Sequence, residues 1–223
     1  MPIWQDTLKV LSDRARVTDS CVVAFSGGKD SLVVLDLCRK AFKRVVCFHM
    51  YFVPGLKCVE RKLDYARDRW GVEILMYPHW ALYRCLKQGA YCDEHYSKDD
   101  LPELKVLDIY SWVMADTGIR NIAIGAKKSD SQWRRKCYFS STKHWDWALY
   151  PCQEWNKFDV LAYLKANKIP LPDSSGMAAT GIDLTTPEIC WLHDNHPEDF
   201  KRLLEWFPYA EAAVWRRKFY GIK

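Results

Sequence analysis

Short apolar runs alternate along the chain with longer segments in which apolar and polar residues are mixed. Four runs are rich in Val, Ile and aromatic residues, which is typical of buried parallel strands: residues 21–25, 44–52, 72–77 and 121–125. Between them, apolar positions at helical spacing predict helices over residues 3–17, after residue 28, over 58–70 and over 101–117. In the helix over 58–70 we expect five charged residues to face outward: Glu60, Arg61, Lys62, Asp64 and Arg67.

Strands that alternate with helices in this way form βαβ units, with a parallel sheet and right-handed crossovers. We therefore predict a three-layer, doubly wound, mainly parallel α/β fold of the Rossmann-like type, in a single domain over residues 1–223. Residues 170–186 are rich in Gly, Ser, Pro and Thr and are interpreted as a long substrate-binding loop or lid. Residues 187–223 are predicted to form a helical C-terminal extension of the domain, and residues 187–207 are expected to be helical.

The first predicted strand runs directly into the sequence SGGKDS, residues 26–31, at its junction with the next helix. The first amides of a helix lack backbone partners and carry partial positive charge, so such a junction holds anions. Lys29 adds a full charge, and Ser26 and Ser31 offer hydroxyl donors, while Asp30 would cap the helix or face a metal. The sequence therefore predicts a phosphate-binding loop, although its spacing matches neither G-x-x-x-x-G-K-[ST] nor G-x-G-x-x-G.

The SGGKDS loop resembles the loop of the PP-loop superfamily, also called adenine nucleotide alpha hydrolases. That resemblance implies that the loop grips the phosphates of an adenine nucleotide and that chemistry takes place at the alpha phosphorus. A basic segment after the fourth strand resembles the motif G-x-R-x-x-[DE]-S-x-x-R of the phosphoadenosine phosphosulfate (PAPS) reductase branch, with a lysine in place of the first arginine. The matching residues are Gly125, Lys127, Asp130, Ser131 and Arg134.

A third segment, residues 150–170, resembles a further motif of the same family, P…W…D-V…Y…I-P. In it we expect Asn156 to cap a helix and we assign the segment no chemistry. The resemblance implies catalytic roles for Lys29, Asp30, Lys127 and Arg134. It implies nucleotide contacts from Ser26, Gly27, Gly28, Lys29, Asp30, Ser31, Gly55, Gly125, Ser131, Arg134 and Arg135.

The family resemblance leaves the reaction open. The nucleotide is expected to be PAPS, adenosine phosphosulfate (APS) or ATP, with Mg²⁺ if it is ATP. Reduction of an adenylylated sulfate, in sulfur metabolism, would need a thiol from Cys190, Cys137 or a partner such as thioredoxin. The chain keeps Gly55 and Glu60 of the family's second-strand motif without its Asp, and has no cysteine after Cys190, where assimilatory reductases carry their nucleophile.

These departures favour a different reaction, adenylation or sulfur transfer onto another substrate with release of pyrophosphate. A nucleic acid is one such substrate. A non-catalytic nucleotide sensor is the alternative from another class, and it would bind nucleotide without turnover.

The chain has nine cysteines, an odd number scattered through apolar runs, as reduced core thiols are. Cys85, Cys92, Cys190 and His193 are candidate zinc or iron–sulfur ligands, because Cys190 and His193 have a metal-ligand spacing. The favoured alternative is that Cys190 is a core thiol and His193 a surface residue.

Composition changes this picture little. The chain is 49% hydrophobic and 27% charged with a net charge of +5, which fits a soluble protein with anionic ligands. Its start lacks a signal-peptide pattern and no apolar run reaches membrane-spanning length, so we expect a cytoplasmic protein with no membrane partner. The basic aromatic segment 215–220 would suit contact with nucleic acid or a terminal amphipathic helix, and oligomers are left open.

Overall fold

The computed structural model describes residues 2–93, 102–132, 135–136, 146–172 and 184–221. A five-stranded sheet lies at its centre, and every neighbouring pair of strands is parallel. The strands are β1 Ser20–Ala24, β2 Arg44–Tyr51, β3 Glu73–Pro78, β4 Ile122–Ala123 and β5 Ala148–Leu149. Their order across the sheet is β3-β2-β1-β4-β5. The chain therefore winds outward from β1 and then crosses to its other side, which confirms the predicted doubly wound α/β fold.

Helices connect and cover these strands. Their bounds are α1 Ile3–Val17, α2 Lys29–Ala41, α3 Lys57–Trp70, α4 Trp80–Lys87, α5 Val106–Thr117, α6 Lys157–Ala166, α7 Thr186–Asn195, α8 Pro197–Trp206 and α9 Glu211–Tyr220. Gly71 and Gly118 end α3 and α5 in the left-handed conformation, at φ 59° and 69°. Asn156 caps α6, as predicted, by accepting hydrogen bonds from the amides of Phe158 and Asp159 at 2.7 and 3.2 Å.

The structure corrects one predicted boundary and adds details that the element pattern did not show. Helix α5 begins at Val106, and residues 102–105 before it are not helical. The stretch 187–207 is helical, as predicted, and consists of two helices, α7 and α8. The chain breaks at His196 immediately before Pro197, because a residue that precedes proline is displaced from helical geometry. Helix α4 and the two-residue strand β5 were not predicted.

Opposite sides of the sheet are covered by different helices, because successive strand residues point to opposite faces. Cys21 and Val23 belong to a large core that includes α1, α2, α3, α6 and the C-terminal helices. Val22 belongs to a smaller core on the other face, with Ile109 and Val113 of α5. None of the described helices combines the length and the apolar character that crossing a bilayer requires.

Two buried carboxylates join helices of the larger layer. Asp199 at the start of α8 accepts hydrogen bonds from the first amides of α3, those of Lys57 and Cys58, at 2.7 and 2.8 Å. Asp36 of α2 accepts from Trp70 Nε1 of α3 at 2.9 Å and from the Tyr163 hydroxyl of α6 at 2.6 Å. Although burial opposes ionisation, hydrogen bonds keep the pKa of both carboxyls below the usual range. For Asp36 the largest lowering comes from Lys40, whose Nζ atom lies 2.7 Å from Asp36 Oδ2. The C-terminal helices are thereby fixed to the start of α3.

Candidate functional site

The SGGKDS loop lies where the direction of winding of the sheet reverses. It joins the carboxyl end of β1 to the start of α2, and β1 stands between β2 and β4. In open parallel sheets this reversal leaves a crevice beyond the strand ends, where ligands bind. Gly28 is the N-cap of α2 and no side chain caps that helix. The first amides of α2 are therefore oriented as the amides of an anion site are.

The loop has the backbone geometry that only glycine adopts readily. Gly27 has φ +70°, and a Cβ atom there would lie 3.2 Å from the Cβ and Cδ atoms of Lys62. The two loop serines hold the turn: Ser26 Oγ accepts from the Gly28 amide at 3.3 Å and Ser31 Oγ donates to the Gly28 carbonyl at 2.9 Å. The loop is thus shaped before any ligand arrives.

The strand β4 brings the second predicted motif to this loop. A Cβ atom on Gly125 would lie 3.5 Å from the Cβ atom of Asp30 and 3.6 Å from the Ser31 nitrogen, so the backbone after β4 passes close to the start of α2. Two residues later, Lys127 is buried, with its side chain 3% exposed. The two sequence motifs therefore form one site.

Lys127 lies between two carboxylates. Its Nζ atom is 2.7 Å from Asp30 Oδ1 and 2.9 Å from Asp130 Oδ1, and its amide donates to Asp130 Oδ2 at 3.0 Å. Lys29 Nζ donates to the other oxygen of Asp30 at 2.7 Å. Burial of Lys127 lowers the pKa of its ammonium group, but the carboxylates of Asp30 and Asp130 raise it more, so the pKa stands above the usual lysine value.

Asp30 is thus the shared counter-ion of two lysines. Its Oδ1 atom is buried and makes no well-directed hydrogen bond with any described residue, so the contact with Lys127 is an ion pair. A carboxylate oxygen that can accept a further hydrogen bond is able to bind a hydroxyl group or a metal ion.

The remaining predicted nucleotide ligands are placed less centrally. Ser131 and Arg135 are exposed, and the Arg135 amide donates to the Ser131 carbonyl at 3.0 Å. Gly55 lies in the turn between β2 and α3 at φ +76°, with no described heavy atom within 4 Å of an added Cβ. Its glycine suits the turn and does not pack against the loop. Arg134 lies outside the described residues.

Sequence reasoning missed two residues beside the loop. Lys62 was expected to face outward, and this was wrong: its aliphatic stem packs on Gly27 and its side chain is partly buried. His49 at the carboxyl end of β2 is buried, and its Nδ1 atom lies 2.9 Å from the Phe25 carbonyl, to which it donates. Burial, with the charge of Lys62, lowers the pKa of His49. Lys62 reaches the loop because α3 crosses over it in the folded chain, and the sequence pattern does not show this crossing.

The described cysteines are poor nucleophiles. Seven of the eight are buried and Cys85 is half-buried, while Cys137 lies outside the described residues. Burial raises the pKa of five thiols, and for Cys38 the contact with Cys21 contributes most to the same upward direction. A thiol with a raised pKa carries little thiolate at neutral pH. The five are Cys47, Cys58, Cys92, Cys152 and Cys190.

The proposed metal ligands are not assembled. Within the described part of the chain, no three His, Cys, Asp or Glu residues are grouped so that they could hold a metal ion. Cys190 is buried with its thiol directed at the Ala213 carbonyl at 3.7 Å, and His193 is exposed beside Asp194. Cys92 is buried as well. The candidate zinc or iron–sulfur site of Cys85, Cys92, Cys190 and His193 is therefore not carried further.

The basic aromatic segment near the C-terminus forms α9. Trp215 and Phe219 are stacked with ring centroids 5.6 Å apart, and both are exposed. Lys218 Nζ lies 4.9 Å from the Trp215 ring centre. This pair of rings and its cation, which we call the α9 surface, meets solvent.

Comparison with known proteins gives a family match and a solved structure of similar fold. A family model described as the phosphoadenosine phosphosulfate reductase domain matches residues 20–173, more than half of the chain. Among solved structures, the NH3-dependent NAD synthetase from Campylobacter jejuni subsp. jejuni NCTC 11168, in complex with the nitrate ion, matches with a TM-score of 0.52 and 13% identity. The match covers 99% of this chain and 96% of that one. At this identity the likeness shows the fold alone. A search of curated proteins finds no significant match.

Proposed function

Since the chain belongs to the phosphoadenosine phosphosulfate reductase domain family of the PP-loop superfamily, we propose that it is an enzyme that binds an adenine nucleotide at the SGGKDS loop and acts at its alpha phosphorus. The observation that carries the proposal is the convergence of the uncapped start of α2 with Lys29 and Lys127 at the winding reversal of the sheet. Phosphate oxygens would accept from the first amides of α2 and from both ammonium groups.

Catalysis would come from charge stabilisation. Negative charge that develops on the alpha-phosphate oxygens would meet Lys29, Lys127 and the helix dipole, which are already in place. Arg134 and the exposed Ser131 and Arg135 would contact the outer phosphates or a sulfate. Mg²⁺, if the nucleotide is ATP, would be held largely by the phosphates themselves with Asp30 as the carboxylate of the protein, and it would neutralise phosphate charge.

Of the two chemistries in this family, we favour transfer of an adenylyl group from ATP over reduction of PAPS or APS. Reduction needs a thiolate, and six of the eight described thiols are buried with raised pKa values. Cys152 lies near Asp30 and Lys127 and is fully buried. A reductase would therefore depend on Cys137 or on an external thiol donor such as thioredoxin.

A nucleic acid is a further proposed partner, because the α9 surface offers two exposed rings and a cation. Base stacking on such rings is worth about 1–3 kcal/mol per base. This contact would hold a nucleic acid at α9.

Calorimetry with ATP, APS and PAPS, with and without Mg²⁺, tests the nucleotide. The Lys29→Ala variant should weaken binding by at least about tenfold, since a charge-assisted hydrogen bond contributes about 1.5–3 kcal/mol. Lys43→Ala is the matched control, because Lys43 is exposed beyond the far end of α2, about 20 Å along the helix axis from the loop.

Turnover separates the reactions. Pyrophosphate release from Mg-ATP, lost in Lys29→Ala, would support adenylyl transfer, whereas sulfite release from PAPS with reduced thioredoxin would replace it with reduction. Tight binding without either product would identify a sensor. Absence of binding to all three nucleotides would overturn the nucleotide assignment.

A further inference from the structure

A second pocket adjoins the phosphate loop from the side of the helices. It has a volume of about 250 Å³ and lies between α3 and α7, with residues 170–172 along one wall. Gly27 of the loop and Lys62 of α3 are shared between this pocket, which we call the α3–α7 pocket, and the nucleotide site. A molecule in it would be a direct neighbour of a phosphate held by the loop.

The pocket is small for a whole adenine nucleotide. Binding sites for drug-sized molecules occupy about 300–1,000 Å³, and one water molecule takes about 30 Å³ of the liquid. The α3–α7 pocket therefore has room for about eight waters, or for an organic molecule smaller than an adenine nucleotide. This volume fits a second, smaller ligand beside the nucleotide.

The polar lining of the pocket is cationic. Arg61 and Lys62 are both present, and within the described residues Arg61 has no carboxylate partner within salt-bridge distance. The Arg61 Nη2 atom lies 3.2 Å from His196 Nδ1. Because a guanidinium only donates, His196 Nδ1 must accept, and its ring proton is on Nε2. The Arg61–His196 pair therefore offers hydrogen-bond donors to the pocket, and the guanidinium of Arg61 is available to pair with a carboxylate of a ligand.

The pocket also contains aromatic surface and an unsatisfied hydroxyl. Trp191 and Tyr65 line it, and the Tyr65 hydroxyl oxygen is buried without a hydrogen-bond partner among the described residues. Buried polar groups in native proteins are nearly always hydrogen-bonded, and an unmade bond costs about 1–3 kcal/mol. A ligand oxygen in the pocket would relieve that cost. Flat aromatic walls favour a planar organic body attached to the anion.

We propose that the α3–α7 pocket binds a small planar organic anion, a carboxylate or a sulfonate, through Arg61 and Tyr65. This proposal extends the proposed function, because a carboxylate bound there would be the acceptor of the adenylyl group. A carboxylate oxygen would form a bond to the alpha phosphorus as the bond from that phosphorus to the bridging oxygen breaks. Pyrophosphate would leave with the electron pair of that bond, and the carboxylate has no proton to lose.

Ligand-observed NMR on the full chain with benzoate, benzenesulfonate and the neutral isostere benzamide tests the pocket. We expect an anion to bind at least about tenfold more tightly than benzamide, a difference of about 1.4 kcal/mol. The benzoate and benzenesulfonate arms decide which head group the site takes. Both anions failing to bind at millimolar concentration, or binding no better than benzamide, would overturn the proposal.

Variants locate the binding. Arg61→Gln should weaken anion binding at least about tenfold, through loss of one charge-assisted hydrogen bond. Arg67→Gln is the matched control, because Arg67 lies on the same helix outside the pocket and pairs with Asp64 at 2.7 Å. Tyr65→Phe keeps the ring and removes the hydroxyl group, so it should also weaken anion binding. Equal affinities in the wild type, Arg61→Gln and Arg67→Gln would place the anion elsewhere and refute the site.

Mg-ATP is titrated separately on the same samples, so the two proposals fail independently. Absence of ATP binding in the wild-type protein would overturn adenylyl transfer from ATP, and the benzoate experiment would still test the pocket. Anion binding that fails while ATP still binds would remove the pocket alone.

Discussion

Replacement of Lys127 tests the centre of the site most directly. Lys127→Met keeps the length of the buried side chain and removes its charge, which leaves Asp30 and Asp130 without their common cation. Breaking a fully buried ion pair from one side costs about 3–5 kcal/mol. The two carboxylates are 18% and 23% exposed, and Lys29 still pairs with Asp30 at 2.7 Å, so we expect the lower end, about 3 kcal/mol.

The assay is chemical and thermal unfolding of the ligand-free protein at pH 7.5. For a chain of this size 1 kcal/mol corresponds to about 2–4 °C, so the Tm should fall by about 6–12 °C. The adjacent Lys128→Met is the control: Lys128 forms an exposed pair with Glu154, and such pairs contribute at most about 1 kcal/mol. Adding Asp30→Asn to Lys127→Met should recover part of the loss, because the unpaired charge is then gone.

A Lys127→Met variant no less stable than Lys128→Met would refute the reasoning. It would mean that the carboxylates are hydrated without Lys127, and that the lysine is not held as the structure places it.

Three further predictions follow from single contacts. Gly27→Ala should be less stable than Gly71→Ala. Both glycines have positive φ, which costs an alanine about 1–2 kcal/mol, but of the two only Gly27 would place its new Cβ atom against a neighbour, the Lys62 side chain at 3.2 Å. Equal Tm values for the two variants would contradict this. Burial lowers the pKa of His49, so as pH falls below about 6.5 this histidine is protonated first in the unfolded chain, and the folded protein loses stability. In urea unfolding, the His49→Gln variant should lose this decrease in stability between about pH 7 and pH 5. An unchanged pH profile would exclude His49 as the source of the decrease. Trp215→Ala with Phe219→Ala should weaken binding of a single-stranded oligonucleotide at least about tenfold in fluorescence anisotropy, and unchanged affinity would exclude the α9 surface.

Much of the fold and the loop could be predicted because the relevant signals are local. The strand, the glycine pair and the following apolar positions lie within about twenty residues, and they alone require a junction that exposes helix amides. The position of Asn156 follows from capping chemistry in the same way. The break at His196 was also local, since Pro197 marks it, and it was missed only because the apolar pattern continues across it.

The role of Lys62 could not be predicted, because helical periodicity does not say which polar residue of α3 crosses the loop. The stem of Lys62 rests on Gly27, and that contact depends on the angle between α3 and β1. The α3–α7 pocket is formed by segments more than one hundred residues apart, from Gly27 to His196. Such a surface has no signature within any single segment. Strand β5, with two residues, is too short to show a period.

Asp30 pairs with both Lys29 and Lys127, and these ion pairs matter both before and after a ligand binds. Without a ligand, Lys29 and Lys127 need a counter-ion near the sheet end, or their charges would be costly to bury. With phosphate bound, the same ammonium groups must face the ligand. One carboxylate between them provides that counter-ion and holds both cations within reach of the loop, so less side-chain freedom is lost on binding. Because Asp30 Oδ1 retains acceptor capacity, the carboxylate can keep its hydrogen bond to one lysine while the other turns to the phosphates. On the proposed function, Asp30 would keep the site ordered before a nucleotide binds, and the strength of binding would depend on how readily it shares its cations.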